Sequence, residues 1–580
     1  MSYLFRPPVT RSPDLTRVLA LPRRPPPDLE KTFISDVGAL LYRHNPDCRC
    51  ERACIKQLRP VQAWALTEAA ANNGLLAPIG VGHGKTALDL LVAMVMPGCR
   101  QAVLLIPPGL REQLVREYLA WSQHFRMPSL VMEDRSWIVP GSPVVHVLPY
   151  SKLSRADATD ALERLRPDLI IADEAHRLRH RNTATTGRVL RYWVTHPETR
   201  LVCWSGTLTS KSIEDYAHLS ALSLKEGSPL PLDPVVVADW ASAIDASDFP
   251  AAPGALVAFG SNLREGYHRR LVETPGVVAT KAGAVDASVN LIERKPKQMP
   301  MKLRNMLQDL RGGWVRPDGE ELIDAMSVAR SARELASGFY YRWVFPGKPD
   351  PQLVDEWFAY RKAWHRELRD ALKDRRVHLD SPLLLTKAAI RAHIKDYQGD
   401  LPVWRSRAWP AWRDIRDQVV HHTEAVWVDK YLVSDAAAWA ASTKGVVWYE
   451  HDAFGRELAN TSGLPCYGGG AEAEALLALE KGTRSIICSI KAHGTGRDGL
   501  QYLYREQLVA NPPSSGAAWE QLLGRLHRIG QVADEVDTYV YRHTQELADA
   551  VDSAVEAARY IEGTMGTKQK LLLASPSWAV

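Results

Sequence analysis

Four short, mostly apolar runs constrain this chain more than any other feature. They are Ala102-Val103-Leu104-Leu105-Ile106, Val144-Val145-His146-Val147-Leu148, Leu169-Ile170-Ile171-Ala172 and Leu201-Val202-Cys203-Trp204. Apolar residues fill both odd and even positions, so a strand made from any of these runs must be buried on both faces. Segments of helical period separate them. Strands of that kind belong to parallel sheets covered by helices, and residues 58–222 therefore predict an α/β lobe. Comparable runs return at Gly445-Val446-Val447-Trp448-Tyr449, Ser485-Ile486-Ile487-Cys488-Ser489 and Asp537-Thr538-Tyr539-Val540-Tyr541, predicting a second α/β unit.

Between the two, 225–285 is rich in Pro, Gly, Ala and Ser and reads as loops with short elements. Residues 300–440 are charged, Trp-rich and mostly of helical period, for example over 303–310 and 329–339. Arg23-Arg24-Pro25-Pro26-Pro27 cannot lie inside a helix, so 1–40 reads as an extended arm. The chain thus divides into an arm with a Cys/His cluster (1–55), a first lobe (56–225), a linker with a helical Trp-rich insertion (226–440), a second lobe (441–545) and a C-terminal helix and tail (546–580).

Composition narrows function only loosely. The net charge is +5, from 72 Lys+Arg against 67 Asp+Glu, a surplus too small to require nucleic acid by itself. The first residues hold Arg and Pro without an apolar run, which gives no sign of a secretory signal. No stretch approaches the ~20 apolar residues of a membrane helix, so no membrane partner is expected. The seven cysteines are odd in number, and four stand singly among apolar neighbours. That argues against a disulfide framework and for a reducing cytoplasm. His44, Cys48, Cys50 and Cys54 fall in one short stretch. Four soft or borderline ligands suit a structural Zn2+, but the spacing is not that of a standard finger or ribbon, and reduced, partly buried thiols are the competing reading.

Gly80-Val81-Gly82-His83-Gly84-Lys85-Thr86 precedes a helical pattern at 87–96. Glycines let the backbone curl so that several N–H groups face one phosphate. Lys85 supplies charge to the β- and γ-phosphates of a nucleotide, and Thr86 can ligate Mg2+. Asp173 and Glu174 follow directly on the apolar run 169–172, at a strand end, where an open parallel sheet presents its ligands. There Asp173 can hold Mg2+ and Glu174 can orient an attacking water. Ser205-Gly206-Thr207 follows the next run and offers hydroxyls to sense the nucleotide, although taken alone the tripeptide is better read as a simple turn. Late in the chain stands Gln521-Leu522-Leu523-Gly524-Arg525-Leu526-His527-Arg528-Ile529-Gly530-Gln531. On a helix Arg525 and Arg528 would share a face, which suits the charge of a transferring phosphoryl group.

Together these residues resemble helicase superfamily two, and within it the SWI/SNF-type translocases, in the form of the compact members of bacteria and phages. The late segment is similar to that branch's sixth motif, with Gln521 at the nucleotide and Arg525 and Arg528 as its arginines. Asp173-Glu174-Ala175-His176-Arg177-Leu178-Arg179 resembles its DEAH-type second motif. Leu58-Arg59-Pro60-Val61-Gln62 resembles the segment whose Gln reads adenine, a role that falls to Gln62. Ile106-Pro107-Pro108-Gly109-Leu110, Pro149-Tyr150-Ser151 and Ser489-Ile490-Lys491-Ala492-His493-Gly494-Thr495-Gly496 resemble motifs Ia, Ib and five. Departures are Ile79 where Gly or Ala is usual, Leu208 for a Pro in motif three, and His493 and Asp498 in motif five.

The resemblance implies two RecA-like lobes with a helical insertion and a helical C-terminal end. It implies ATP and Mg2+ as cofactors, with catalysis by Lys85, Asp173, Glu174, Arg525 and Arg528. DNA-backbone contacts would come from Pro108, Gly109, Ser151, Lys491 and Gly494, with Arg177, Arg179 and Arg181 either extending that track or forming a solvated face. The expected activity is ATP-dependent translocation on double-stranded DNA. The alternatives are a strand-separating DNA or RNA helicase, engaging single strands, and an ATP-binding nucleic-acid switch or scaffold without motor activity. The tryptophans of the insertion, among many Arg, suit either base stacking or interhelical packing.

Overall fold

In the computed structural model, Leu169 and Ile171 face one apolar core while Ile170 and Ala172 face another. The neighbouring strands alternate in the same way, as an all-apolar run between two helical layers requires. The structure describes residues 7–25, 27, 34–43, 58–155, 158–181, 183–245, 250–280, 287–296, 298–347, 349–374, 379, 381–394, 397–399, 402–494 and 499–578. His44, Cys48, Cys50 and Cys54, like Thr495, Gly496 and Asp498, lie outside the described residues. Among the described residues Cys99, Cys203, Cys466 and Cys488 form no disulfide. No helix among the described residues is long and apolar enough to cross a membrane.

The first sheet has seven strands, in the order Leu75–Ala77, Arg200–Trp204, Leu169–Asp173, Gln101–Ile106, Val144–Pro149, Ser129–Val131, Ser136–Trp137. All neighbours are parallel except the last pair. One strand, Arg200–Trp204, therefore lies between the strand that leads into the glycine loop and the strand that ends in Asp173. The second sheet is wholly parallel, in the order Cys466–Tyr467, Ile486–Ser489, Gly445–Tyr449, Glu506–Val509, Glu535–Tyr541, Ser288–Arg294, Ser575–Pro576. Val446 and Trp448 face one core of this sheet, and Val447 and Tyr449 the other.

Four boundaries differ from those expected. The second lobe begins well before 441, because Ser288–Arg294 pairs along its whole length with Glu535–Tyr541. Leu303, Leu307 and Leu310 of helix Met301–Gly313 and Leu335 of helix Ala325–Ala336 pack in that lobe's core. The residues after 336 leave helix for a two-stranded antiparallel sheet, Phe339–Val344 with His422–Trp427, at a turn where Gly338 has φ 102°. The arm is not extended throughout: Pro13–Ala20 is a helix, capped by the Ser12 side chain, and buries Leu15 and Val18 in the first lobe's core. The Pro-rich sequence that follows ends this helix rather than preventing it. The stretch 226–280 likewise supplies two helices, Pro234–Ile244 and Leu263–Val272, to the first lobe.

The Trp-rich insertion is a packed module. Trp357, Trp364, Trp409 and Trp412 form its core with Leu368, Leu385 and Ile415. Arg361 stacks over the Trp343 and Trp357 rings at 4.8 and 5.3 Å and pairs with Glu320. These rings are spent on packing, and Trp439 joins the second lobe's core.

The C-terminal helix Gln545–Met565 is started by Thr544, whose side chain accepts from Leu547 N, and is stopped at Gly566, φ 71°. Its apolar stripe spans both lobes. Ala554 and Ala558 pack in the second lobe's core, and Met565 in the first's. The residues after it do not form a free tail but run between the lobes.

Candidate functional site between the lobes

Apart from Gln62, which lies in the helix Pro60–Asn72 before the first strand, the site residues expected in the first lobe stand at or just past the carboxyl end of a strand, on one edge of one sheet, where such sheets present their ligands. Residues 80–86 connect Leu75–Ala77 to helix Thr86–Val95. Gly82 and Gly84 have φ 96° and 73°, a conformation side chains resist, so the loop's curl depends on glycine at both positions. Gly80 and Val81 are buried, whereas Gly82, His83, Gly84, Lys85 and Thr86 line a half-open mouth. No side chain caps the start of the helix, which leaves N–H groups and the positive dipole end directed at the mouth.

Neighbouring side chains hold the loop in place. Gln62 Nε2 donates to Gly84 O at 2.7 Å and to His83 O at 3.2 Å, while its Oε1 accepts from Arg59 N at 2.8 Å. Arg59 Nη1 donates to Gly82 O at 2.7 Å. Gly80 N donates to the Thr280 hydroxyl at 2.9 Å. Gln62 thus serves here as a brace for the loop, with its amide engaged on both sides.

Lys85 crosses from the loop to the acidic strand end. Its Nζ lies 3.3 Å from Glu174 Oε1 and donates to Ile79 O at 3.4 Å. Glu174 sits at φ 49°, and its Oε2 accepts from Ser205 Oγ at 3.0 Å and lies 3.3 Å from His176 Nδ1. Although burial pushes this carboxyl up, Lys85, His176 and Ser205 hold it well below the usual carboxylate range. Asp173 fares oppositely: burial first, then the charge of Glu174, pushes it up to about 7. Asp89, on the helix after the loop, is also raised, by burial and then by Asp173; it accepts from Trp204 Nε1 at 3.0 Å. Tyr150 OH donates to Asp173 O at 2.8 Å, fixing the strand end from the Ib-like segment.

The second lobe closes on this group. Gln521 Nε2 donates to Glu174 Oε1 at 3.5 Å, and Gln521 Oε1 accepts from Arg525 Nη2 at 3.2 Å. Gly524 approaches Val81 so closely that an added Cβ would sit 2.6 Å from Val81 Cγ1. Comparison with known proteins finds no matching family model and no matching curated protein. The geometry therefore carries the reading of the site.

The expected helical pairing of Arg525 with Arg528 is corrected. Helix Gly516–Leu526 ends before Arg528, because His527 turns away (φ −84°, ψ 76°) to bond Ala287 O at 2.7 Å, and Gly530 at φ 95° completes the bend. Arg525 is buried on the helix, and Arg528 stands beyond it at the cleft, where its charge bears on Arg59. Ser205-Gly206-Thr207 touches three parts at once. Ser205 bonds Glu174, Gly206 lies against Gly80 and Val81, and Gly206 O accepts from Gln569 Nε2 at 3.4 Å.

Pro108, Ser151 and Lys491 are exposed at carboxyl strand ends, as are Arg177 and Arg181 after Glu174; Arg179 is half-buried. Gly494 is buried, and a Cβ there would lie 2.3 Å from Ile490 O. His493 is buried and bonds Gly468 O at 2.6 Å, a brace that explains a His in that position. Arg59, Asp89, Tyr150, His176, Thr280 and Lys570 were not singled out from the sequence. Arg59, Tyr150 and His176 stand inside quoted motifs; Thr280 and Lys570 carry no local sign.

Proposed function

We propose that this chain is an ATP-dependent translocase on double-stranded DNA, with RecA-like lobes that hydrolyse ATP in the cleft between them and remodel DNA or protein–DNA complexes. The observation that carries this reading is Glu174, held at once by Lys85 of the glycine loop and Gln521 of the other lobe. A carboxylate in contact with both lobes gives hydrolysis a direct route to lobe movement.

The side chains fit a nucleotide with its cation. Lys85, Arg59, Arg525 and Arg528 converge on a mouth that also receives an uncapped helix start. Among the described residues no cluster of three or more His, Cys, Asp or Glu could hold a metal alone. Mg2+ asks less of a protein: one or two carboxylates, with water and substrate phosphates completing its shell. Thr86 and Asp173 would hold it, and when bound it neutralises charge on the phosphates. A cation there would also offset the burial, and after it the neighbouring carboxylate charge, that raise Asp89 and Asp173.

Hydrolysis forms a bond from water oxygen to the terminal phosphorus and breaks the bond to the bridging oxygen, which leaves with its electron pair on ADP. Glu174 orients the water and receives its proton, held in line by Ser205 and His176. While Lys85 pairs with Glu174 the carboxylate is a weak base. Once Lys85 turns to a phosphate, Glu174 loses its nearest cation and its proton affinity rises, as a base requires. Arg525 and Arg528 stabilise the charge on the transferring group. Pro108, Gly109, Ser151 and Lys491, with the arginines after Glu174, would track the DNA backbone, whereas the buried Gly494 would shape the turn behind Lys491. Such contacts position without reading sequence and weaken with salt.

The test is ATP hydrolysis with duplex DNA, single-stranded DNA and RNA in parallel, together with third-strand displacement from a triplex. Stimulation by duplex with triplex displacement is expected. Unwinding of a forked duplex without triplex displacement would establish a strand-separating helicase instead. A hydrolysis rate unmoved by any nucleic acid and unaltered in Lys85→Ala would leave only a switch or scaffold.

A further inference from the structure

We propose that the C-terminal segment completes the nucleotide site, with Lys570 as a further cation on the terminal phosphates of a nucleoside triphosphate. The proposal rests on the ATP-site reading above and names a residue that none of the recognised motifs contains.

The segment after helix Gln545–Met565 is threaded into the cleft by polar contacts to both lobes. On the first lobe, Thr567 Oγ1 donates to Pro78 O at 3.1 Å, two residues before Gly80. Gln569 Nε2 donates to Gly206 O at 3.4 Å, beside Gly80 and Val81. On the second, Lys570 N donates to Glu520 Oε2 at 2.6 Å, next to Gln521. Lys570 Nζ lies 3.2 Å from His527 Nδ1, inside the Arg525–Arg528 segment. A Cβ on Gly524, the glycine that meets Val81, would lie 3.5 Å from Lys570 Cε.

The charge pattern calls for an anion. His527 donates through Nε2 to Ala287 O, which leaves Nδ1 to accept from the lysine; burial and then Lys570 push His527 down to about 4, so it is neutral. One of the lysine's three N–H donors is thus used on a neutral acceptor. Burial lowers Lys570. Glu520 partly offsets this, while Arg528, Arg525 and Lys85 lower it further. Glu520 faces this lysine and Glu174 pairs with Lys85, but Arg525 and Arg528 add further positive charge, which a polyanion would offset. The same space holds two buried polar atoms, Thr207 Oγ1 and Gln569 Oε1, that find no hydrogen-bond partner among the described residues. Thr207 follows Gly206 in the sensing tripeptide, and Gln569 precedes Lys570. A triphosphate with its hydration would engage this set of groups.

The experiment uses the full chain as wild type, Lys570→Met, Lys570→Arg and Lys85→Ala. It measures affinity for a non-hydrolysable ATP analogue and for ADP, each with Mg2+, and DNA-stimulated turnover. Lys570→Met is expected to weaken the triphosphate by about tenfold or more, the worth of one charge-assisted hydrogen bond, and ADP far less. Lys570→Arg is expected to recover most of the loss. In the wild-type chain, the ATP analogue and not ADP is expected to protect the backbone amides of 567–573 from hydrogen exchange read by peptide mass. That measurement stands even where the Met variant fails to fold. Equal losses for ATP analogue and ADP, or equal protection by both, would show a merely structural lysine and overturn the proposal. Loss in Lys85→Ala alone, with Lys570→Met active and discriminating like wild type, would also overturn it while sparing the ATP site. A wild-type chain that binds no nucleotide would overturn both.

Discussion

At Asp173 and Glu174, adjacent carboxyls are driven in opposite directions by their surroundings. Lys85, Ser205 and His176 all address Glu174, while Asp173 is left beside Asp89 in a buried place. The consequence for stability can be signed. The Asp173 carboxyl is raised from 3.8 to about 7, so between those values the folded chain binds a proton that the unfolded chain does not. Stability therefore falls as pH rises through that window and stays lowered above it. Asp173→Asn removes the cost without changing size. It is expected to raise Tm at pH 8 and leave it nearly unchanged below pH ~4, at about 1.4 kcal/mol per pKa unit before relaxation of the site. Thermal melts of the nucleotide-free protein check this. A Tm gain equal at both ends of the range would mean that the Asn fits better for reasons other than charge.

Among the elements, helix Gly516–Leu526 meets the glycine loop at a point where the helix has no room for a side chain. Gly524 faces Val81, whose β-branched side chain has little freedom to yield. Gly524→Val is expected to hold the lobes apart and lower ATP turnover by about tenfold or more, the scale of a small misplacement of catalytic groups. Circular dichroism should remain unchanged, since the substitution adds bulk between lobes rather than within a core. Full turnover in this variant would contradict the closed cleft. The same pair of elements marks how far sequence reached. Strands 102–106, 144–148, 169–172 and 201–204 were legible because packing against a core on each face leaves a mostly apolar run. Leu75–Ala77 and Cys466–Tyr467 were not, being too short to show a period. Ser288–Arg294 was hidden by its mixed composition, for it lies second from the edge and buries only Val289 and Leu291. The helical phase of Arg525 and Arg528 failed for a tertiary reason, the bond from His527 to Ala287 O, which spacing alone does not reveal.

Across the whole molecule, chain order and spatial order diverge most at the ends. The first-lobe core takes Leu15 and Val18 from the N-terminal helix and Met565 from the C-terminal one. The second sheet ends on Ser575–Pro576. Local motifs signalled the loop, the acidic pair and the arginine segment, because their chemistry demands fixed residue types at short spacing. Lys570, Gln569 and Thr280 reach the same cleft only through folding, and no spacing announces them. The central claim is that one ATP site is assembled from both lobes. Its most direct test is steady-state ATP hydrolysis with duplex DNA for wild type, Lys85→Ala and Arg528→Ala, each with its nucleotide affinity. Loss of turnover by about a hundredfold or more in both variants is predicted, Lys85→Ala chiefly through the phosphate contact and Arg528→Ala with binding largely kept. Wild-type turnover in Arg528→Ala would contradict the account, because hydrolysis would then belong to the first lobe alone.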